Sequence, residues 1–419
     1  MSSDAEFCHD RISALHEDLL VQILTLVPVK DAVKTMVLSK RWSFLWTMMH
    51  RLDYIEKDRD EKIVWDFLDK SLQLNKAPVL ESLRIRIHRQ CPLVDADLGK
   101  WVSVAVERCA RELILILCHL SDPTSLPKRL YTCKTLVQLI LSDKILVDVP
   151  SPACFPSLKF LVLSRVVYKD QDSHVKLLSS CPVLRQLLVV RTKRDNVNRF
   201  SVKVPSLLLL TYVYFPLPDN NDDKPLVIDS PGLIFVNITV ADPLRDSFSI
   251  KNMPRLEGAI ISLYGYPPNN ELNFMTSFSS VRILSLRSLK VGCCNAINFP
   301  RLIELKLCLP SSEHHWMEPL MLLLHNAPKL KTLRINSVIP FYIFKAFIVY
   351  PEDVQLSWNQ PSSVPGCLLS QLEIFEWRGY KRRSEEKQFA AYILANSTCL
   401  NTVGISPTSS CGDEKEKPN

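Results

Sequence analysis

The chain has 419 residues, 47% hydrophobic and 23% charged, the balance of a folded protein with room for two or three domains or for one repeat array and a small companion. Nine glycines against 28 prolines speak against glycine-rich phosphate loops, and a net charge of +7 spread along the chain offers no nucleic-acid-binding stripe. Thirteen cysteines without a Cys-x-x-Cys pair, a polar amino terminus in place of a signal peptide, and no apolar run near the ~20 residues of a membrane span point to a reduced cytoplasmic or nuclear compartment.

After a polar tail, Asp18 to Val27 carries Leu19, Leu20, Val21, Ile23, Leu24, Leu26 and Val27, interrupted only by Gln22 and Thr25. A helix this apolar wants burial on two sides. Pro28 stops it, and Asp31 is placed to cap a second short helix bearing Val33, Met36, Val37 and Leu38. Ser39 can cap a third, in which Trp42, Leu45, Trp46 and Met49 recur at three- and four-residue spacing. A module of about 45 residues cannot bury all of this internally. It either docks on the rest of the chain or offers an apolar face to a partner, and the residues alone leave both open.

The string Asp10-Arg11-Ile12-Ser13-Ala14-Leu15, the helix ending Val27-Pro28, Lys30-Asp31-Ala32-Val33, and Leu38-Ser39-Lys40-Arg41-Trp42-x-x-Leu45-Trp46 resemble a plant F-box. The resemblance implies a face that binds the Skp-type adaptor of a cullin-based ubiquitin ligase. The matching contact positions are Leu15, Leu19, Leu20, Ile23, Leu24, Val33, Val37, Leu38, Trp42, Leu45 and Trp46. The family usually has Leu-Pro where this chain has Leu15-His16. Losing a proline at a helix start should weaken the first helix and its adaptor affinity, while His16 itself reads as an exposed helix start.

From residue 80 one pattern returns: apolar, two residues, apolar, one residue, apolar. It runs through Leu136-Leu139-Leu141, Leu158-Leu161-Leu163, Leu184-Leu187-Val189, Leu207-Leu210-Tyr212 and Leu233-Val236-Ile238 to Val281-Leu284-Leu286, Leu302-Leu305-Leu307 and Leu330-Leu333-Ile335, with weaker copies at Ala110 and Leu256. The spacing is the leucine-rich repeat period. Helical stretches precede several copies (97–109, 175–180, 320–326), and seven copies carry a proline two residues before their first position. At ~4.8 Å per strand, about a dozen strands predict a parallel sheet arc roughly 50–60 Å long, a concave surface suited to macromolecules. Residues between the inward apolar positions would face a partner: Gln138, Ile140, Phe160, Val162, Gln186, Leu188, Arg282 and Ile283.

Past Ile335 the period breaks in an aromatic segment. It resumes at Leu372-Phe375-Trp377, followed by Arg378-Gly379-Tyr380, a helix over 385–396 and Leu400-Val403-Ile405. With Trp358-x-x-Pro361-x-x-Val364-Pro365-x-Cys367-Leu368, this block resembles the FBD domain that accompanies F-boxes and leucine-rich repeats in plants. The family usually continues with a further helix and strand where this chain has Cys411-Gly412-Asp413-Glu414-Lys415.

Catalytic signatures such as G-x-S-x-G, H-E-x-x-H and the phosphate-loop motifs do not occur. His314-His315 has no metal-ligand partner at a suitable spacing and reads as a surface loop. Arg191, Lys193, Arg194 and Arg199 read as an exposed basic loop, and Lys381-Arg382-Arg383 as a polar turn before a helix. Cys109, Cys118, Cys154 and Cys308 read as apolar fillers, Cys293-Cys294 as space-filling near a repeat edge, and the sequons at Asn237 and Asn396 as chance matches.

The expected class is α/β: a three-helix F-box followed by an irregular leucine-rich-repeat solenoid with helices and loops on its convex side, closed by an FBD domain. The boundaries are a tail (1–9), F-box (10–54), linker helix (55–78), repeats (79–337), a carboxy-terminally shortened FBD domain (338–406) and a disordered tail (407–419). The resemblance implies a non-catalytic substrate receptor without cofactor or metal, partnered by the adaptor, through it a cullin, and a protein substrate. No nucleic acid or membrane is expected as a partner. A receptor that needs a small molecule in the arc and an adaptor-independent interaction scaffold stay open beside it.

Overall fold

The computed structural model describes residues 12, 14–55, 61–87, 98–117, 123–143, 145–192, 195–215, 225–241, 248–251, 253–264, 273–287, 297–308, 316–337 and 358–407. Asp10, Arg11, Ser13, Cys118, Lys193, Arg194, Cys293-Cys294, His314-His315, the aromatic segment up to residue 357 and, Pro407 apart, both tails lie outside the described residues. Contacts divide the chain into two compact units, 1–197 and 198–419.

The first unit opens with α1 (Glu17–Leu24), α2 (Val29–Lys34) and α3 (Trp42–Leu45), with single 3-10 turns at Thr35–Val37 and Trp46–Met48. Asp31 is not the expected cap. Pro28 starts α2 instead, its carbonyl accepting from the N–H groups of Asp31 (2.9 Å) and Ala32 (3.0 Å), while Asp31 sits in the first turn and pairs with Lys34 at 2.8 Å. A fixed φ and a missing N–H suit proline to that place. Ser39 likewise contributes its carbonyl to the Trp42 N–H (3.0 Å), and α3 has no side-chain cap.

A strand absent from the sequence reading follows at once: β1 (Arg51–Ile55), with Leu52 and Tyr54 buried. After α4 (Glu61–Leu74) come β2 (Ser82–Ile87), α5 (Leu98–Glu107), β3 (Glu112–Leu117), β4 (Gln138–Ser142), β5 (Phe160–Ser164), α6 (Ser173–Ser179) and β6 (Gln186–Thr192). The strands pair in parallel in chain order, with Leu83, Leu113, Leu139, Leu161 and Leu187 in one register row. The expected boundary at residue 54 therefore falls inside the first strand of the stack. The helical module is tied to it: the Asn75 amide donates to the Met49 carbonyl at 2.9 Å, and the Lys76 N–H to that of Thr47 at 2.6 Å.

The second unit stacks β7 (Leu209–Phe215), β8 (Phe235–Ala241), β9 (Gly258–Tyr264), β10 (Ile283–Arg287), β11 (Glu304–Cys308), β12 (Thr332–Asn336), β13 (Ile374–Tyr380) and β14 (Thr402–Pro407), again parallel and in chain order. Helices α7 (Met317–His325), α8 (Gly366–Ser370) and α9 (Ser384–Asn396) precede the last three strands. The block resembling an FBD domain thus continues the repeat stack, since β13 pairs with β12 and β14 with β13. Trp377, fully buried, meets Trp316 just before α7 at 5.5 Å and Phe389 of α9 at 5.9 Å between ring centroids. On β14 the inward register positions Val403 and Ile405, opposite Phe375 and Trp377, are exposed.

Each unit also has a second, three-stranded parallel ladder of very short strands, at Thr124–Ser125, Ile145–Val147 and Val167–Tyr168 in the first and Phe200–Val202, Leu226–Ile228 and Phe248–Ile250 in the second. These replace helices on the return limb of several repeats.

The phased prolines acquire a cause. In all seven copies the N–H of the first consensus residue donates to the carbonyl of the residue before the proline, as from Leu158 to Phe155 (3.4 Å), Leu184 to Cys181 (3.3 Å), Leu256 to Met253 (3.0 Å) and Leu330 to Ala327 (3.2 Å). Proline occupies the second position of a β-turn, where its fixed φ is already correct. The residue before it is buried in every case, so the turn holds two core residues three apart and aims the chain into the next strand.

Arg191 does not belong to an exposed loop. It continues the inward row of Leu187 and Val189 and is buried, with its guanidinium on Asp195 at 2.6 and 2.8 Å; of its described neighbours in that reading, Arg199 is exposed. Cys109 and Cys154 are exposed and Cys308 half-buried, whereas the core fillers are Cys133, Cys181 and Cys367.

Candidate interaction surfaces

Within the helical module the eleven matched positions separate by burial. Leu20, Leu24, Trp42, Leu45 and Trp46 are buried, as are Val29, Ala32 and Met49. Leu15 and Val33 are half-buried, and Leu19, Ile23, Val37 and Leu38 are exposed, Val37 to 88% and Leu38 to 64%. Leu19, Ile23 and Leu26 recur at i, i+4 and i+7 along one side of α1 and just beyond it, Leu26 being 82% exposed. Of the two sides that the sequence expected to be buried, one is in the core and the other is uncovered. Met36, Phe44 and Met48 add to the uncovered apolar surface and were missed, because spacing alone does not separate the inner from the outer side of such short helices. The fold is held at its start by Arg41, which donates to the Leu15 carbonyl. His16 is the N-cap of α1, at φ −64°, and its ring accepts a long 3.4 Å bond from the Asp18 N–H.

The outward rows of the first sheet run Asp53, Arg84, Ile114, Ile140, Val162, Leu188 and, below it, Arg51, Ser82, Glu112, Gln138, Phe160, Gln186. Gln138, Ile140, Phe160, Val162 and Leu188 are half-buried by their neighbours, and Gln186 is exposed. The face is thus divided. Arg86 pairs with Asp53 and Arg84 with Glu112 (2.9 Å) over β1 to β3, while β3 to β6 present an aliphatic row. In the second unit Ile283 lies on the outward face, 41% exposed. Arg282 does not share that face. It precedes β10, its N–H donating to the Glu257 carbonyl, and Ser285 is the outward residue two beyond Ile283.

Burial raises the Cys308 thiol above its ordinary range, against the pull of Arg287 and Lys306, so it is held as a neutral thiol on the outward face of β11. Among the described residues no three His, Cys, Asp or Glu side chains gather as a metal site, and no helix is long and apolar enough to cross a membrane.

Three known protein families match parts of the chain. The F-box domain family matches residues 12–54, the leucine-rich repeats of FBD-associated F-box protein At5g56370 match 98–257, and the FBD family matches 360–405. Of Arabidopsis thaliana proteins, the FBD-associated F-box protein At1g05080 is 50% identical over 95% of this chain and 91% of its own length. The F-box/FBD/LRR-repeat proteins At1g22000 and At4g26340 are 45% and 38% identical, each over 97% of this chain and over 87% and 94% of their own lengths. With its fold, its exposed helical face and these relatives together, the chain belongs to the F-box/FBD/LRR-repeat family of plant proteins.

Proposed function

We propose that the protein is the substrate-recognition subunit of a Skp–cullin–F-box-type ubiquitin ligase, acting in the cytoplasm or nucleus, with the helical module on the adaptor and the repeats on a protein substrate. The observation that carries this reading is the uncovered apolar side of the module. Leu19, Ile23, Leu26, Val37 and Leu38 stay exposed beside a buried set of Leu20, Leu24, Trp42, Leu45 and Trp46. An apolar patch of this kind is characteristic of a binding surface.

The burial pattern supplies a clean test. Ile23→Asp and Val37→Asp place a carboxylate on the uncovered side, so the module keeps its fold, but docking would bury an unpaired charge at a cost of several kcal/mol. Co-expression with a Skp-type adaptor should give a stable complex for the wild-type chain and at least a roughly hundredfold weaker one for the double variant. Leu20→Asp is the wrong probe: Leu20 is fully buried, so its loss of binding would report unfolding. A folded Ile23→Asp/Val37→Asp chain that holds the adaptor as tightly as wild type removes the adaptor assignment. For the substrate half, partners cross-linked to the chain in plant cells under proteasome inhibition should accumulate and carry ubiquitin. If none accumulates, the receptor reading fails.

A further inference from the structure

The outward face of β10 to β13 carries three register rows. The lowest is Ile283, Glu304, Thr332 and Ile374; the middle is Ser285, Lys306, Arg334 and Glu376; the upper is Arg287, Cys308, Asn336 and Arg378. Charges in the two lower rows satisfy one another. Arg334 lies between Glu304 and Glu376, its Nε 3.1 Å from the latter, and Lys306 pairs with Glu304 at 3.1 Å.

The upper row is different. Arg287 and Arg378, at its two ends, make no ion pair among the described residues. Among the described residues the Arg287 Nε is shielded from water without a hydrogen-bond acceptor, a standing cost in the free protein. Between them stand Cys308 and Asn336, which carry no charge. Arg378 is exposed and leads into Gly379, whose φ of 78° accompanies the register shift between Arg378 and Tyr380. Glycine tolerates that backbone where other residues are strained, which ties the Trp-Arg-Gly-Tyr string to the placing of this arginine.

The geometry sets the ligand. Arg287 and Arg378 are three strand spacings apart, roughly 14 Å. An extended peptide rises about 3.3 Å per residue with alternate side chains on one side, so residues i and i+4 point the same way about 13 Å apart, while i+3 points away. We propose that this face docks an extended acidic segment of a protein partner, in which two carboxylate side chains four residues apart each engage one guanidinium. This rests on the reading that the repeats capture a protein substrate, and it names what that substrate presents. Arginine favours such pairing because its planar fork matches a carboxylate.

The test pans a random twelve-residue peptide library, displayed on phage, against the full-length chain held on its adaptor, with Arg287→Gln/Arg378→Gln panned in parallel. Enriched wild-type peptides should share Asp or Glu at i and i+4. Synthetic copies should bind by fluorescence anisotropy, lose roughly tenfold or more in affinity on the double variant, and weaken when the second acid is moved to i+3. Unchanged melting temperature of the double variant shows that the fold is intact. Enriched peptides without the acidic pair, binding that requires a phosphoserine in place of a carboxylate, equal binding by the double variant, or no enrichment on wild type each overturn the proposal. None of these touches the receptor reading, which stands or falls on the cross-linked, ubiquitinated partners described above.

Discussion

Removing the Asp195 carboxylate should destabilise the first unit far more than a loop substitution. Its two oxygens lie 2.6 and 2.8 Å from Nε and a terminal nitrogen of Arg191, and both side chains are almost wholly excluded from water. Another bond from the guanidinium runs to the Val197 carbonyl. At about 3 Å and an effective dielectric near 20 the attraction is about 5–6 kcal/mol, while desolvation costs several kcal/mol per ion. The intact pair therefore sits near break-even, whereas Asp195→Ala leaves a buried cation without its counter-charge, a loss of about 3–5 kcal/mol. Hydrogen exchange of the 186–192 amides in the intact chain should accelerate by roughly two to almost four orders of magnitude. Arg191→Met/Asp195→Leu, which removes both charges and keeps the volume apolar, should recover most of that protection. If Asp195→Ala exchanges like wild type, or the double variant is worse than the single one, the pair is not the buried, mutually dependent unit described here.

Leu161→Ala, Leu187→Ala and Leu284→Ala remove almost fully buried strand side chains and should each cost ~2–5 kcal/mol in denaturant titration, against little for the exposed Lys159→Ala and Arg185→Ala; equal effects would mean a misassigned register. His174, buried edge-to-face on Tyr168, is pushed down to about 4 by burial and by Arg191. Its folded form resists protonation, so the unfolded chain binds more protons between pH 6.5 and 4, and stability should fall as pH drops through that window by about 3 kcal/mol. His174→Gln should flatten that slope in denaturant midpoints measured at pH 7 and pH 5. His16→Pro should leave adaptor binding unchanged or stronger, because the native φ of −64° already suits proline; a marked loss would contradict the helix-start argument.

The strands and their register were legible because three inward positions per repeat must be apolar, and a one-residue slip would turn them to solvent. Even the weak copies at Ala110 and Leu256 hold, with Leu113, Leu115, Ala259 and Ile261 fully buried. The pattern failed where its inward residue was not apolar or its repeat lacked a leader. Arg191 stands two beyond Val189, where period two assigns it inward, but its basic neighbours in sequence suggested a loop. The missed signal was Asp195, four residues on, a partner able to satisfy a buried guanidinium. β1 was missed because its copy of the pattern, Met49-Leu52-Tyr54, starts on a methionine without a leading proline and lies where the chain reads as the end of the helical module.

The candidate surfaces were harder to read for a related reason. Sequence spacing gives alternation, so it named Ile140, Val162 and Leu188 as outward-facing, but it cannot say which outward charges are already matched across strands. Arg84, Arg86 and Arg334 look like recognition residues by type, and only the register shows Glu112, Asp53, Glu304 and Glu376 beside them. Each neighbour in a row comes from the preceding or following repeat, some 20 to 40 residues away in sequence, as with Arg334 and Glu376. A charge on such a sheet acquires its role from the row and not from its own repeat. That is why Arg287 and Arg378, nearly a hundred residues apart in the chain and unremarkable singly, become a matched pair only once four strands are laid side by side.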